Sequence, residues 1–227
     1  IADFHKIPII EDNAESPGAT YKGKVLGSLG KVSCFSFYAN KILTTGEGGM
    51  ILTDDQELYL YLKELRDHGM SREKKYVHVA LGFNYRMTNM QAALGVAQLE
   101  RFDAILKKRN KQENQYDNYL SSSDQLQLRE KQPGSETVHW MMTVRLRKEG
   151  IRDKILEYLK HEGIDCRQMI YPVHYALHFK DENALQKFPV SDLVSLNSLH
   201  LPSSTNLSEE SIDIISKSLL KGLKLYG

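Results

Sequence analysis

At 227 residues, with 41% apolar and 26% charged side chains, the chain has the makings of a water-borne globular protein: one substantial domain and a smaller one. A formal net charge of +1 leaves no electrostatic footprint for nucleic acid or an anionic membrane, and no apolar run nears the roughly 18 residues of a spanning helix. The two cysteines, Cys34 and Cys166, form neither a metal-ligand spacing nor a disulfide framework, and no signal peptide is visible, which points to a cytoplasmic protein with reduced thiols.

In chain order, Ile1 to His5 reads as the tail of a helix feeding the apolar strand Ile7 to Asp12, with Asn13-Ala-Glu15-Ser16 following. Ligands in open α/β sheets sit beyond the carboxyl ends of strands, which puts Asp12 where a site would be. Ala19 to Gly30 is glycine-rich and reads as a hairpin or looped excursion. Val32 to Phe37 is a strand that delivers Ser36, whose hydroxyl suits a phosphate, and then Lys41. That lysine has Phe35, Phe37, Tyr38, Ala39, Ile42 and Leu43 close by in sequence. Desolvation lowers the pKa of an amine and makes it a nucleophile for carbonyls. Gly46, Gly48 and Gly49 free the backbone that follows. Taken alone, the stretch also reads as a strand ending in a surface turn, with Lys41 solvated.

Met50 to Thr53 is a further strand. Asp54 with Glu57 opens a helix whose apolar face is Leu58, Tyr61, Leu62 and Leu65 and which stops at Gly69. Met70 to Phe83 is irregular and basic, either a solvated loop or one that takes a diphosphate. Thr88 with Gln91 makes a capping box for a long helix to about Leu120, apolar nearly all round in its first half and so expected to be buried. The polar cluster Ser121 to Asp124 reads as the boundary between a first domain, residues 1–120, and a second, residues 121–227. Beyond it come a strand at Val138–Leu146, a helix within Gly150–Gly163, a strand at Ile164–Ile170, a short strand at Leu199–Leu201 and a last helix capped by Ser208: a small α+β lobe.

Four segments, IEDNAES (10–16), GSLGKVSCFSFYANKILTTGEGGM (27–50), GFNYRMTNMQAALGVAQLERFD (82–103) and CRQMIYPVH (166–174), resemble the DegT/DnrJ/EryC1/StrS family of pyridoxal 5'-phosphate-dependent aminotransferases. The wording of NKILTTGEGGM and NYRMTN is most like its perosamine-synthase branch. The resemblance implies an α/β chain of the aspartate aminotransferase-like, fold type I class, with the N-terminal part of that fold lying outside these residues. It implies a homodimer with shared active sites that moves an amino group, from glutamate in most of the family, to a nucleotide-linked 4-keto-6-deoxyhexose for surface polysaccharide or glycoconjugate. By resemblance Lys41 carries the cofactor as a Schiff base and shuttles the proton, and Asp12 keeps the pyridine nitrogen protonated. Ser36 holds the phosphate together with Asn84 of the neighbouring subunit. Many relatives have glutamine at the position of Glu15, where it meets the cofactor 3'-oxygen. Arg86, Arg167, Tyr171 and His174 are candidate substrate contacts. Other lysine-based chemistry on the same fold, or a non-catalytic role, are the alternatives.

Overall fold

In the computed structural model of the chain, residues 1–179 and 187–227 are described. The elements run, in order, helix α1 (Ala2–His5), strands β1 (Ile10–Asp12), β2 (Thr20–Tyr21), β3 (Lys24–Val25), β4 (Val32–Ser36) and β5 (Gly49–Leu52), then helices α2 (Gln56–Arg66), α3 (Asn89–Leu99) and α4 (Phe102–Leu120). After these come β6 (Leu126–Gln127), β7 (Ser135–Glu136), β8 (Met142–Leu146), α5 (Arg152–His161), β9 (Arg167–Gln168), α6 (Pro189–Asn197), β10 (Ser198–Leu201) and α7 (Glu209–Tyr226). The chain forms two compact units, Ile1–Leu106 with Gln132–Trp140, and Lys107–Lys131 with Met141–Gly227. The division falls inside α4, upstream of the polar cluster Ser121 to Asp124, and residues 132–140 rejoin the first unit.

The first unit is built on the sheet β1-β4-β5. β1 runs parallel to β4, with Asp12 opposite Cys34, and β5 runs antiparallel, with Ser36 opposite Gly49. A parallel pair needs a crossover, supplied here by residues 13–31, which contain the β2–β3 hairpin. Lys22 and Gly23 at its tip have φ of 48° and 76°, the left-handed pair that matches the twist of a two-residue hairpin. The outer edge of β2 pairs with β7. The crossover is tied to the sheet through Glu11, whose carboxylate accepts the backbone N–H groups of Gly27, Leu29 and Gly30 at 2.8, 2.7 and 2.6 Å.

Two helices differ from expectation. The cap of α2 is Asp55, one residue later than Asp54, because its Oδ1 accepts the Leu58 N–H at 3.0 Å. The capping box of Thr88 and Gln91 does open α3. The continuous helix expected to Leu120, however, is two helices: at their junction the N–H of Arg101 donates to Gln98 three residues back, which tightens the turn. No residue of α3 is buried, and Met90 is 83% exposed. This helix turns its polar and small stripe (Gln91, Gly95, Gln98) to the rest of the unit, and its apolar faces look outward.

The second unit holds the sheet β6-β8-β10-β9. Along β8, Met142, Val144 and Leu146 alternate into the core, while β10 is buried throughout. Ile155 and Leu159 of α5 and Ile212, Ile215, Leu219 and Leu223 of α7 complete that core, each such side chain contributing about 1.5–3 kcal/mol of burial free energy. The Cys166 thiol packs against it and is pushed up to about 12, by burial first and by the Asp165 carboxylate second, which makes it a poor nucleophile. Among the described residues no helix is long and apolar enough to cross a membrane.

Candidate active site

Lys41 sits in a turn that the backbone of Phe37 closes at both ends. The Phe37 N–H donates to Gly48 at 2.9 Å, and the Phe37 carbonyl accepts from Thr45 N–H at 2.9 Å and from the Thr44 hydroxyl at 3.1 Å. Gly48, at φ 143°, has no room for a side chain: a Cβ there would lie 2.6 Å from Thr45 Oγ1 and 2.9 Å from Met87 Cε. Ile42 and Leu43 are buried behind the lysine, whereas Tyr38 and Ala39 are exposed. The apolar setting is therefore one-sided.

The Lys41 side chain itself is only 11% exposed. Its ammonium lies 3.4 Å from Glu15 Oε1 and 3.8 Å from the centre of the Trp140 ring. The Glu15 contact draws the segment after β1 onto the lysine turn, linking residues 26 apart in sequence. Asp12, at the carboxyl end of β1, is exposed; its Oδ1 accepts the Ala14 N–H at 3.1 Å, and its other oxygen has no partner among the described residues. Ser36 is partly buried at the end of β4, and its hydroxyl accepts the Tyr38 N–H at 3.3 Å. Lys41, Asp12, Glu15 and Ser36 thus lie on two adjoining segments at one end of the parallel pair β1–β4.

Asn84 and Arg86 lie in the same unit. Asn84 bridges Asp67 through the backbone, is exposed, and its side chain bonds to nothing among the described residues. Two glycines pack back to back beneath it: a Cβ on Gly82 would lie 2.1 Å from the Gly69 nitrogen. Arg86 is engaged, donating to Asp67 Oδ2 at 3.3 Å. The hydrogen bond from His68 holds Asp67 below the usual carboxylate range, and Arg86 adds to the effect.

Arg167, Tyr171 and His174 belong to the second unit. Arg167 is exposed on β9 opposite His200, and Tyr171 stacks on Tyr175 at 6.0 Å. His174 is held from two sides: Nε2 meets Asp192 Oδ1 at 2.8 Å, and the ring stacks on Phe188 at 4.6 Å.

Sequence patterns gave no hint of Trp140 or Gln98 in this neighbourhood. The Trp140 indole N–H donates to the Asn40 carbonyl at 2.7 Å across 100 residues. Gln98 bonds the backbone of Thr44 across 54. Neither leaves a local motif, though Trp140 is the sole tryptophan of the chain.

The sequence matches the DegT/DnrJ/EryC1/StrS aminotransferase family over residues 1–220. It is 40% identical over 226 residues to the GDP-perosamine synthase of Caulobacter vibrioides, covering 96% of this chain and 60% of that protein. The GDP-perosamine synthase of Vibrio cholerae is 33% identical over 93% of this chain and 58% of its own length. Among solved structures, the aminotransferase TlmJ from Streptoalloteichus hindustanus aligns with a TM-score of 0.90 at 26% identity, over 99% of this chain and 60% of that one. DesV of S. venezuelae aligns with a TM-score of 0.91 at 30% identity, over 98% and 60%. The chain therefore spans about 60% of the length of these relatives. From the match over residues 1–220 and the 40% identity, the chain belongs to the DegT/DnrJ/EryC1/StrS aminotransferase family.

Proposed function

We propose that this chain is the lysine-bearing part of a pyridoxal 5'-phosphate-dependent aminotransferase that moves an amino group from an amino acid, glutamate by family resemblance, to a nucleotide-linked 4-keto-6-deoxyhexose. The observation that carries this is Lys41: a mostly buried primary amine, at the end of the parallel pair β1–β4, with carboxylates supplied by the next segment. Two relatives, both GDP-perosamine synthases, support the sugar class.

The donor set fits that cofactor. A part-buried amine, a strand-end carboxylate with one oxygen free and a hydroxyl one strand over are what an aldehyde, a pyridine nitrogen and a phosphate require. When bound, pyridoxal phosphate supplies the carbonyl that takes up the amino group and the ring that accepts electrons from the breaking C–H bond. Lys41 would hold the carbonyl carbon through Nζ, the carbonyl oxygen leaving as water, and once released would carry the proton as general base and then general acid. Asp12 keeps a proton on the ring nitrogen by offering it an anionic partner. Ser36 donates to the phosphate. Glu15 partners the ammonium of Lys41 when the lysine is free.

A second copy of the chain completes the site in this reading, each chain lending Asn84 to the other across an isologous interface. The exposed apolar residues Val79, Leu81, Phe83 and Tyr85 around Asn84, with Met90 and Val96 on α3, support such a contact. The two free cysteines support a reducing, cytoplasmic setting.

Borohydride reduction of the complete protein with cofactor, followed by peptide mapping, tests the assignment. The label is expected on Lys41, and Lys41→Ala is expected to lose both the label and amino transfer. A label that survives on another lysine ends the assignment.

A further inference from the structure

We propose that Trp140 is a positioning residue for the Lys41 amine: its indole face holds the ammonium whenever the lysine is not bonded to cofactor. The proposal rests on the functional reading above and deepens it, adding to the site a residue that comes from the returning segment Gln132–Trp140 of the first unit.

The geometry has two parts. Lys41 Nζ lies 3.8 Å from the ring centre, well inside the roughly 6 Å over which an aromatic face attracts a cation. The ring is also anchored, because its N–H donates at 2.7 Å to the carbonyl of Asn40, the residue just before the lysine. The indole is thus tied to the same backbone turn that carries the amine. Glu15 alone is a weaker holder. Its side chain is 57% exposed and its oxygen stands 3.4 Å from Nζ, so water competes for that pair.

The chemistry asks for this kind of partner. A lysine that gives up a carbonyl and later takes it back must be parked nearby as an ammonium without being locked there. A carboxylate in full contact binds an ammonium through directional, charge-assisted hydrogen bonds. A π face attracts the charge with no lone pair to align, so Nζ can swing off and return. The flat ring lies against Nζ, and the Lys41 side chain as a whole is 11% exposed.

Two substitutions separate the face from the anchor. Trp140→Phe keeps a π face and loses the N–H; Trp140→Leu keeps apolar bulk and loses both. In cofactor-stripped protein, reductive methylation of Lys41 is followed by mass spectrometry, with the exposed Lys217 of the same digest as reference. Methylation at Lys41 is expected about tenfold faster in Trp140→Leu than in the parent, with Trp140→Phe within about threefold of the parent. Equal rates in the Phe and Leu variants overturn the proposal, since they would mean that only the anchor or the bulk matters.

A second measurement leaves the indole in place. Trp140 is the only tryptophan of these 227 residues, and the difference between the emission spectra of the parent and of Lys41→Gln, which removes the charge over its ring, is expected to show a shifted maximum. An unchanged maximum overturns the pairing. Failure of the cofactor reading is read separately, as absence of a borohydride-fixed label on Lys41 in the parent protein; the methylation ratio does not depend on it.

Discussion

The side-chain amide of Gln98 grips the backbone of Thr44 from both sides: its oxygen accepts the Thr44 N–H at 3.2 Å, and its nitrogen donates to the Thr44 carbonyl at 2.5 Å. Through this pair α3 sets the position of the turn that carries Lys41. Gln91, two turns earlier on the same helix, adds a bond to the Glu47 carbonyl at 3.2 Å.

Gln98→Leu leaves a partly buried N–H and C=O without partners. A loss of about 1–3 kcal/mol is expected in urea unfolding. Faster amide exchange across residues 44–48 should accompany it, because the turn is held from α3. Stability and exchange both equal to the parent would show that the turn needs no clamp.

The Glu11 carboxylate is the anchor of the β1–β4 crossover. Desolvation, the largest single influence, pushes its pKa up, but the backbone N–H groups of Gly27, Gly30 and Leu29 together outweigh it and hold the group below its ordinary 4.5. A folded pKa below the unfolded one means the stabilisation is complete above pH 4.5 and is lost as pH falls through the folded value. Glu11→Gln should therefore cost about 1–3 kcal/mol at neutral pH and flatten the acid limb of the stability curve. A variant with the parent's acid limb would remove Glu11 from the anchor.

Gly82→Ala tests the loop that presents Asn84. Its Cβ would lie 2.1 Å from the Gly69 nitrogen and 2.7 Å from the Leu65 carbonyl oxygen, both backbone atoms that cannot rotate away. The expected result is local: cleavage of residues 70–81 by a probing protease rises at least about fivefold, while the core of the second unit unfolds at its usual denaturant concentration. An unchanged digestion pattern would mean that the two backbones separate at no cost.

Subunit mixing tests the shared site. Lys41→Ala and Asn84→Leu chains are each expected to be inactive, and after exchange of subunits the mixture is expected to recover about a quarter of parental activity, one intact site in half the dimers. Two inactive variants that form mixed dimers and stay inactive would sink the shared-site reading.

Legibility in the sequence followed the range of the interaction. The capping box of Thr88 and Gln91 and the cap at Ser208 are encoded within three residues and stand as expected. Asp54 and Asp55 offer the same carboxylate one position apart, so composition could not choose the cap of α2. The apolar residues of α3 predict burial, yet burial depends on what lies against each face, and here that is a polar stripe on the Thr44–Glu47 turn. In the candidate site, a glycine-rich turn with a lysine is a local pattern. The approach of Glu15 to Lys41, of Gln98 to Thr44 and of Trp140 to Asn40 spans 26, 54 and 100 residues and has no local signature.

The return of residues 132–140 to the first unit also bears on how the protein is made. Asn40 leaves the ribosome 100 residues before the tryptophan that bonds its carbonyl, which at roughly 5–20 residues per second is a wait of about 5–20 s. Throughout that interval the lysine turn lacks its aromatic cover, while most of the sheet around it has already been synthesised. A nascent chain arrested before residue 140 should accordingly expose Lys41 to amine reagents, and its aromatic cover arrives only after residues 107–131 of the second unit have been made.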